Sequence, residues 1–490
     1  MSTKLELTPF LTATILFGLY HSYVFLIRLF RPRLPYPLGP RGYPLIGDLF
    51  NEASKNVEQH EWARYLKMGK EYNSDVLHIN VLGDHTLILN SAKAATELLE
   101  KRSGLYSDRP RKALPSLLSR WDWNFATMLY SNKWRSVSCN LTFHQDFQAK
   151  AISTYHPFIL QSTSNFLKKL APAEYISTSY AGSTILRIVY GMSTQEELEN
   201  YVELAHLASE SLNATMNHCG SFFVDYLPCL KYMPAWFPGA SFKQKANTWA
   251  PMVSNLINAP WKRVKSSMKF NLVPNFDIKS INNNLDQDME EVIKNCSGVA
   301  YFAGTDTTVS LIMSSILVLS HHPEVLEKAH EELDRVIGTS RLPQFQDRDK
   351  LPYIQAFIKE VERMYPVTPL AVAHRVISDD IFNGYFIPKG IVNSRIAILH
   401  SEELYQDPFK FNPGRFLQND KNSKLSPDPE IVAFGFGRRI CPGRHFALDS
   451  AWSLIACLLA TCDFTGPSED AQKISRKPDP MLDYFDGLIV

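Results

Sequence analysis

One decapeptide constrains this chain more than any other stretch: Phe434-Gly435-Phe436-Gly437-Arg438-Arg439-Ile440-Cys441-Pro442-Gly443. It sets a single cysteine among glycines, with an arginine two residues upstream. Glycine lets the backbone take positive φ and approach a flat ligand closely. Backbone N–H groups gathered around a sulfur stabilise its negative charge, as in other anion-binding nests. The Arg439 guanidinium is a rigid fork suited to a carboxylate. The apolar run Phe446–Thr461 reads as a helix leaving the loop. Together these residues suit a thiolate, a bulky planar cofactor and that cofactor's acidic tails. A buried free cysteine in a glycine-rich turn is the alternative.

A second stretch lies upstream. Residues 290–322 are long, apolar and free of proline until Pro323, which fits one central helix. A second membrane span competes with that reading, but Asp306 sits mid-segment among hydroxyl side chains, which is costly in lipid. Within Ala303-Gly304-Thr305-Asp306-Thr307-Thr308, Gly304 removes a side chain so that a flat ligand or dioxygen can lie against the helix. Asp306 and Thr307 are neighbours able to hold a proton and a water. Serine and threonine hydroxyls can also bond back to the i−4 carbonyl. Further on, residues 351–365 form a helix stopped by Pro366, with Glu360 and Arg363 three apart on one face, where they can pair.

The N-terminus carries 21 residues, Leu7 to Ile27, without a formal charge apart from His21. As a helix they would span about 32 Å, enough for a bilayer core. Arg28, Arg31 and Arg33 follow, so the positive-inside rule puts the downstream chain in the cytosol. A signal peptide is the competing reading, but no small-residue cleavage site follows. Residues 28–47 are rich in proline and read as a stiff hinge. Lys plus Arg is 51 against 50 for Asp plus Glu, so there is no basic excess to favour nucleic acid. Seven cysteines without a pairing pattern argue for a reducing compartment.

Other segments supply the scaffold. Residues 76–82 and 86–89 flank Gly83-Asp84 as a hairpin, and 92–102 are helical. Residues 108–126 are turn-rich yet hold Leu114, Trp121, Trp123 and Phe125, which suggests a lining or a lid. Residues 150–270 are mostly helical, broken by an aromatic insert at 232–239 that suits membrane contact, a substrate entrance or a buried turn. Residues 266–288 read as a polar surface loop. Residues 369–375 and 379–390 read as strands and turns of a small sheet.

The decapeptide resembles the haem-binding loop of the cytochrome P450 monooxygenases, Phe-x-x-Gly-x-Arg-x-Cys-x-Gly, matched by Phe434, Gly437, Arg439, Cys441 and Gly443. The central helix resembles that family's oxygen-activation motif, with Asp306 as its acid and Thr307 as its threonine. Glu360 and Arg363 resemble its Glu-x-x-Arg, closed by Arg415 in Phe411-Asn412-Pro413-Gly414-Arg415-Phe416. The resemblance covers residues 32–490. It implies a mainly α fold with a smaller β-sheet region, the P450 fold, behind one N-terminal transmembrane helix: anchor 7–27, hinge 28–47, haem domain 48–490. It implies haem b ligated through Cys441, with Trp134, Arg135, His374, Arg375, Arg439, Phe434 and Gly304 around it, and dioxygen as co-substrate.

Asp306 and Thr307 would then deliver protons. The chain has no dinucleotide fingerprint, so electrons would come from an NADPH-cytochrome P450 reductase, with cytochrome b5 alongside it. Lys133, Arg135, Arg438 and Arg444 would offer a docking face, unless they are a merely solvated cluster. Membrane lipid, an endoplasmic-reticulum location facing the cytosol, and an apolar substrate of terpenoid, polyketide, steroid-like or polycyclic aromatic type complete the expectation, in the style of fungal secondary metabolism or xenobiotic oxidation. Three departures stand out: Ser138 where the family has a basic residue, Gly414 where it usually has Glu, and an end about ten residues earlier than usual. A haem-thiolate isomerase or dehydratase, or an impaired haem-binding membrane protein, are the competing functions.

Overall fold

The computed structural model describes residues 18–20, 22–23, 34–44, 46–48, 61–114, 119–132, 134, 146–168, 176–216, 222–268, 287–394, 396–417 and 425–464. Most of the anchor segment, Lys133, Arg135, Ser138, the stretch 269–286 and everything after residue 464 lie outside the described residues.

Eleven helices carry the argument: α1 Glu61–Tyr72, α2 Ala92–Ala95, α3 His156–Leu167, α4 Ile176–Tyr190, α5 Gln195–Met216, α6 Ser241–Met268, α7 Gln287–His321, α8 Pro323–Val336, α9 Pro352–Met364, α10 Glu430–Ala433 and α11 Arg444–Thr461. Proline at the first position starts α8 and α9, where its missing N–H costs nothing. The α7 helix has 35 residues and is apolar enough to cross a membrane, yet its middle is core. Val299, Ala300, Tyr301, Val309, Leu311 and Ile312 are all buried. On one side α7 packs against α4 and α5; on the other it meets α11, whose Trp452, Leu454 and Ile455 are equally buried. The central helix expected from sequence is therefore a core helix.

The strands are few. β1 (Val76–Val81) and β2 (Asp84–Leu89) form the expected hairpin, turned at Leu82-Gly83, both with positive φ. β2 pairs in parallel with β6 (Ile391–Ser394), and β6 pairs antiparallel with β3 (His374–Arg375), giving the order β1-β2-β6-β3. β4 (Asp380–Phe382) and β5 (Tyr385–Ile387) form a separate hairpin across Asn383-Gly384. The strand expected over 369–375 is confined to its last two residues; Thr368 to Ala371 make a turn, closed by the Ala371 N–H on the Thr368 carbonyl at 3.0 Å.

The proline-rich segment is more than a spacer over its described part. The His78 N–H donates to the Leu38 carbonyl at 2.9 Å and the Phe386 N–H to the Pro35 carbonyl at 2.8 Å. The Tyr36 ring stacks on His78 with centroids 4.7 Å apart. A strand edge needs partners for its exposed N–H groups, and this extended chain supplies one.

A buried ion cluster ties α9 to the irregular chain that follows. Glu360, fully buried, takes the Arg363 guanidinium at 2.7 and 3.0 Å and the Arg415 Nε at 3.0 and 3.1 Å. It also accepts the Asn412 N–H at 2.8 Å. The spare Arg363 donor goes to the Leu399 carbonyl, and those of Arg415 to Gln406 and Lys410. Gly414 fits this turn tightly: a Cβ there would lie 2.9 Å from Asn412 Oδ1, the acceptor of the Gly414 N–H. Removing one partner leaves a buried charge uncompensated, so Arg415→Ala should cost about 3–5 kcal/mol. Urea unfolding followed by circular dichroism would read it, and a loss below about 1 kcal/mol, the range of an exposed pair, would mean the cluster is not held as described.

Candidate active site

The cysteine loop is shaped by two glycines and one backbone bond. Gly435 and Gly437 take φ of 81° and 55°. A Cβ on Gly437 would lie 2.3 Å from the Leu99 carbonyl oxygen, so only glycine lets the loop rest on the π-helical turn Thr96–Lys101 that continues α2. The Cys441 N–H donates to the Phe434 carbonyl at 2.8 Å, closing the loop on itself. Cys441 is half-buried and in no disulfide. Arg444, opening α11, donates to the Cys441 carbonyl at 3.2 Å, so it braces the loop from behind.

Three consecutive carbonyls gather residues from distant parts of the chain. Tyr106 accepts from His374 Nδ1 at 2.8 Å, Ser107 from Arg439 Nε at 2.9 Å, and Asp108 from the Arg375 N–H at 2.8 Å. Arg439 also donates to Phe125 and Met128 carbonyls at 3.0 and 2.8 Å. The Phe125 carbonyl also receives the Trp134 indole N–H at 3.2 Å, and the guanidinium lies 4.1 Å from the centre of the Trp134 ring. His374, Arg375, Arg439 and Trp134 thus meet in one place, while Arg135 lies outside the described residues. Burial pushes the Arg439 pKa down to about 10, with Asp108 and Tyr130 opposing it.

Sequence reasoning missed Arg109. It is buried and donates to the Ala126, Val372 and Ala373 carbonyls, each at 2.8 Å. A charged residue directly before Pro110, at the mouth of an apolar loop, was the available signal. Further along, Trp121 is buried, meets the Phe302 ring of α7 at a tilt with centroids 4.7 Å apart and donates to Ser211 of α5 at 3.2 Å.

On α7, successive residues turn by about 100°, so neighbours in sequence face different ways. Thr307 bonds back to the Ala303 carbonyl at 2.6 Å, sharing its face with Ala303 one turn earlier. Asp306 turns to α5, towards Ser209, His206 and Glu210. Burial raises its pKa, and Ser209 and His206 oppose that shift. Gly304 differs from expectation. Its missing Cβ points at Ile185 of α4, 3.3 Å away, so the glycine serves helix packing; Ala303 is the small residue on the Thr307 face.

The donor set fits haem b. The guanidiniums of Arg375 and Arg439 gather with His374, and Asp108 Oδ2 lies 4.0 Å from Arg375. Burying positive charge in excess is costly unless anions pair with it. Two propionates on a macrocycle ligated by Cys441 would supply them.

Known proteins resemble this chain along most of its length. The family model for cytochrome P450 matches residues 37–482. A cytochrome P450 monooxygenase of Postia placenta is 38% identical over 443 residues, covering 88% of this chain and 84% of that protein. Another, of Coprinopsis cinerea, is 36% identical over 482 residues, covering 94% and 90%. Tryptamine 4-monooxygenase of Psilocybe cyanescens is 33% identical, covering 90% and 88%. A zebra fish cytochrome P450 solved with progesterone superposes with a TM-score of 0.70 at 21% identity, covering 84% of this chain and 94% of its own; it speaks for the fold.

Behind the loop, α10 packs on α9 through an acidic patch. Glu362 is buried and its Oε2 has no hydrogen bond. The nearby cations are engaged elsewhere, Lys359 with Asp428 and Arg348 with Asp449. Burial, then Glu430 and Asp428, hold Glu362 well above the usual carboxyl range, against the weaker pull of Lys359 and Arg348. A raised folded-state pKa means the native protein keeps its proton longer than the unfolded chain. Stability is then lost as pH rises above the unfolded value near 4.3, by about 1.4 kcal/mol per pH unit until the native group ionises. Glu362→Gln should match the wild type near pH 4 and become progressively more stable than it towards pH 8. Melting temperatures of the two proteins across that range would test this; a constant gap would refute it.

Proposed function

The chain belongs to the cytochrome P450 family, and from that premise we propose that it is a membrane-anchored haem-thiolate monooxygenase that hydroxylates an apolar small molecule with electrons from an NADPH-dependent reductase. The observation that carries this reading is the convergence of His374, Arg375, Arg439 and Trp134 on the Tyr106–Asp108 segment beside the Cys441 loop.

When bound, haem with a thiolate ligand supplies the activation of dioxygen. Cys441 is the proposed ligand, with Phe434 and the two glycines shaping its loop. Arg439, Trp134, His374 and Arg375 are proposed to hold the propionates, and Arg135 is proposed with them on sequence alone. Asp306 and Thr307 are the proposed proton donors, Asp306 holding a proton on the α5 side and Thr307 offering its hydroxyl on the Ala303 side. Trp121 and Phe125, packed inward, exclude water. Haem domain 48–490, hinge 28–47 and anchor 7–27 are the proposed organisation.

An endoplasmic-reticulum membrane location is supported by the apolar N-terminal run, and by Tyr232 and Trp236, whose exposures of 78% and 80% leave their rings for a lipid surface. A reductase, with cytochrome b5 alongside, would meet the basic residues near the loop, Arg438 among them. For substrate, terpenoid, polyketide, steroid-like and polycyclic aromatic compounds remain the proposal. The tryptamine-oxidising relative adds aromatic amines to the panel worth screening.

Carbon monoxide added to the reduced protein should give the spectrum of a thiolate ligand, and Cys441→Ser should abolish it. Thr307→Ala should keep that spectrum yet divert NADPH consumption from product to peroxide. An unchanged spectrum in the first variant would remove Cys441 as ligand, and full coupling in the second would remove Thr307 from proton delivery. The anchor is tested separately: alkaline carbonate should leave the full chain in microsomes, with its globular part digested by protease added from the cytosolic side. Release into the wash would dismiss it.

A further inference from the structure

The neighbourhood of Asp306 differs from that of Glu360. Glu360 is met by two guanidiniums. Asp306, half-buried, forms no ion pair with Lys or Arg among the described residues, and the groups facing it from α5 are Ser209, His206 and Glu210. Each of these can both give and take a proton. Ser209 is 3% exposed and lies beside the Asp306 carboxyl, near enough to favour its charged form but not aligned as a hydrogen bond. Its buried hydroxyl is left without a partner, which costs free energy unless that freedom is used.

His206 and Glu210 stand on the same helix stripe as Ser209, at the i, i+3, i+4 spacing that makes side chains neighbours. Their side chains are 56% and 64% exposed, and His206 Nε2 is 3.8 Å from Glu210 Oε1. The remaining titratable neighbours are on other faces. Tyr301 of α7 donates to the Tyr201 carbonyl, and its ring meets Tyr190 of α4 edge-on at 6.0 Å, so its proton is committed.

We propose that the stripe His206–Ser209–Glu210 on α5 is the entry by which solvent protons reach Asp306, with Ser209 as the link and His206 as the group exchanging with water. The inference rests on the reading of Asp306 as a proton donor to a monooxygenase reaction, which consumes two protons for each dioxygen reduced. When the Asp306 carboxyl gives up its proton, the Ser209 O–H replaces it. Ser209 is made good by the His206 imidazolium, and His206 by solvent, with Glu210 holding the imidazolium near the helix. Every O–H or N–H broken is remade, and the protein ends as it began. Ser209 and His206 are positioning residues in this scheme; they touch neither substrate nor cofactor.

The test uses the full-length enzyme with its reductase and four variants: Asp306→Asn, Ser209→Ala, Ser209→Thr and His206→Gln. The first readout is the carboxyl C=O stretch of Asp306 in the resting ferric protein, by infrared difference between light and heavy water, assigned by its loss in Asp306→Asn. The second is peroxide formed per NADPH, with its solvent isotope effect. Ser209→Ala should shift the carboxyl band, raise peroxide several-fold and enlarge the isotope effect. Ser209→Thr, which keeps the hydroxyl, should restore all three. His206→Gln should leave the band in place and raise peroxide formed per NADPH. If Asp306→Asn uncouples but Ser209→Ala does not, the inference is wrong and the role of Asp306 stands. Failure of Ser209→Thr to restore coupling would also overturn it, since the loss would then come from packing. If Asp306→Asn itself stays coupled, the underlying reading fails first.

Discussion

The irregular half of this molecule is organised by buried guanidinium groups whose donors must all find acceptors. A helix or strand satisfies its own backbone, but a loop leaves carbonyls without partners. Arg109 takes the carbonyls of Ala126, Val372 and Ala373; Arg363 that of Leu399; Arg415 those of Gln406 and Lys410; Arg439 those of Ser107, Phe125 and Met128. Each fork solves two problems together. The charge is desolvated only where oxygen dipoles surround it, and the carbonyls are buried only where the fork reaches them. The described residues between 106 and 114 and between 119 and 130 are thereby fixed against the cysteine loop.

The Glu360 carboxylate separates the roles of these arginines. Arg363 and Arg415 share Glu360, so their cluster is closed and has no use for a further anion. Arg439 has carbonyl dipoles and the Trp134 ring, with burial lowering its pKa to about 10. Dipoles stabilise a guanidinium less than a full negative charge does. The Glu360 cluster is thus complete as a structural joint, whereas the Arg439 cluster is electrostatically receptive to an acidic ligand. The same residue type serves as a rivet in one place and as the proposed docking point in the other.

Much of this could be read in the sequence, and the physical reason is visible where it could not. The hairpin β1–β2 is signalled by its turn, α7 by an unbroken apolar run, and α9 by its bounding prolines. The pairing of Glu360 with Arg363 follows from helix spacing. Arg415 and the cysteine loop came from patterns of residue type, because side chain meets side chain or ligand there. Arg109 was missed because its partners are main-chain oxygens, which every residue carries. No residue type at 126, 372 or 373 betrays the contact. The docking of residues 35–39 on the sheet is hidden for the same reason: it runs through backbone bonds to Phe386 and His78.

The surroundings of Gly304 show how α7 distributes its residues. Sequence adjacency suggested one site made from residues 303–308, but a helix distributes six consecutive residues over all of its faces. Gly304 admits Ile185 of α4, Asp306 turns to α5, and Thr307 lies with Ala303. Separation of this kind has a chemical use. An ionisable carboxyl on the substrate-facing side would bring water and charge into a space that must stay dry. Set about 100° away, against a helix with exposed His206 and Glu210, it would in the proposed scheme exchange with solvent away from the Ala303–Thr307 face. The Thr307 hydroxyl is itself tethered to the Ala303 carbonyl, so its proton is offered only when that bond is given up. In the proposed scheme the helix is a partition, with proton supply on the α5 side and reaction space on the Thr307 side.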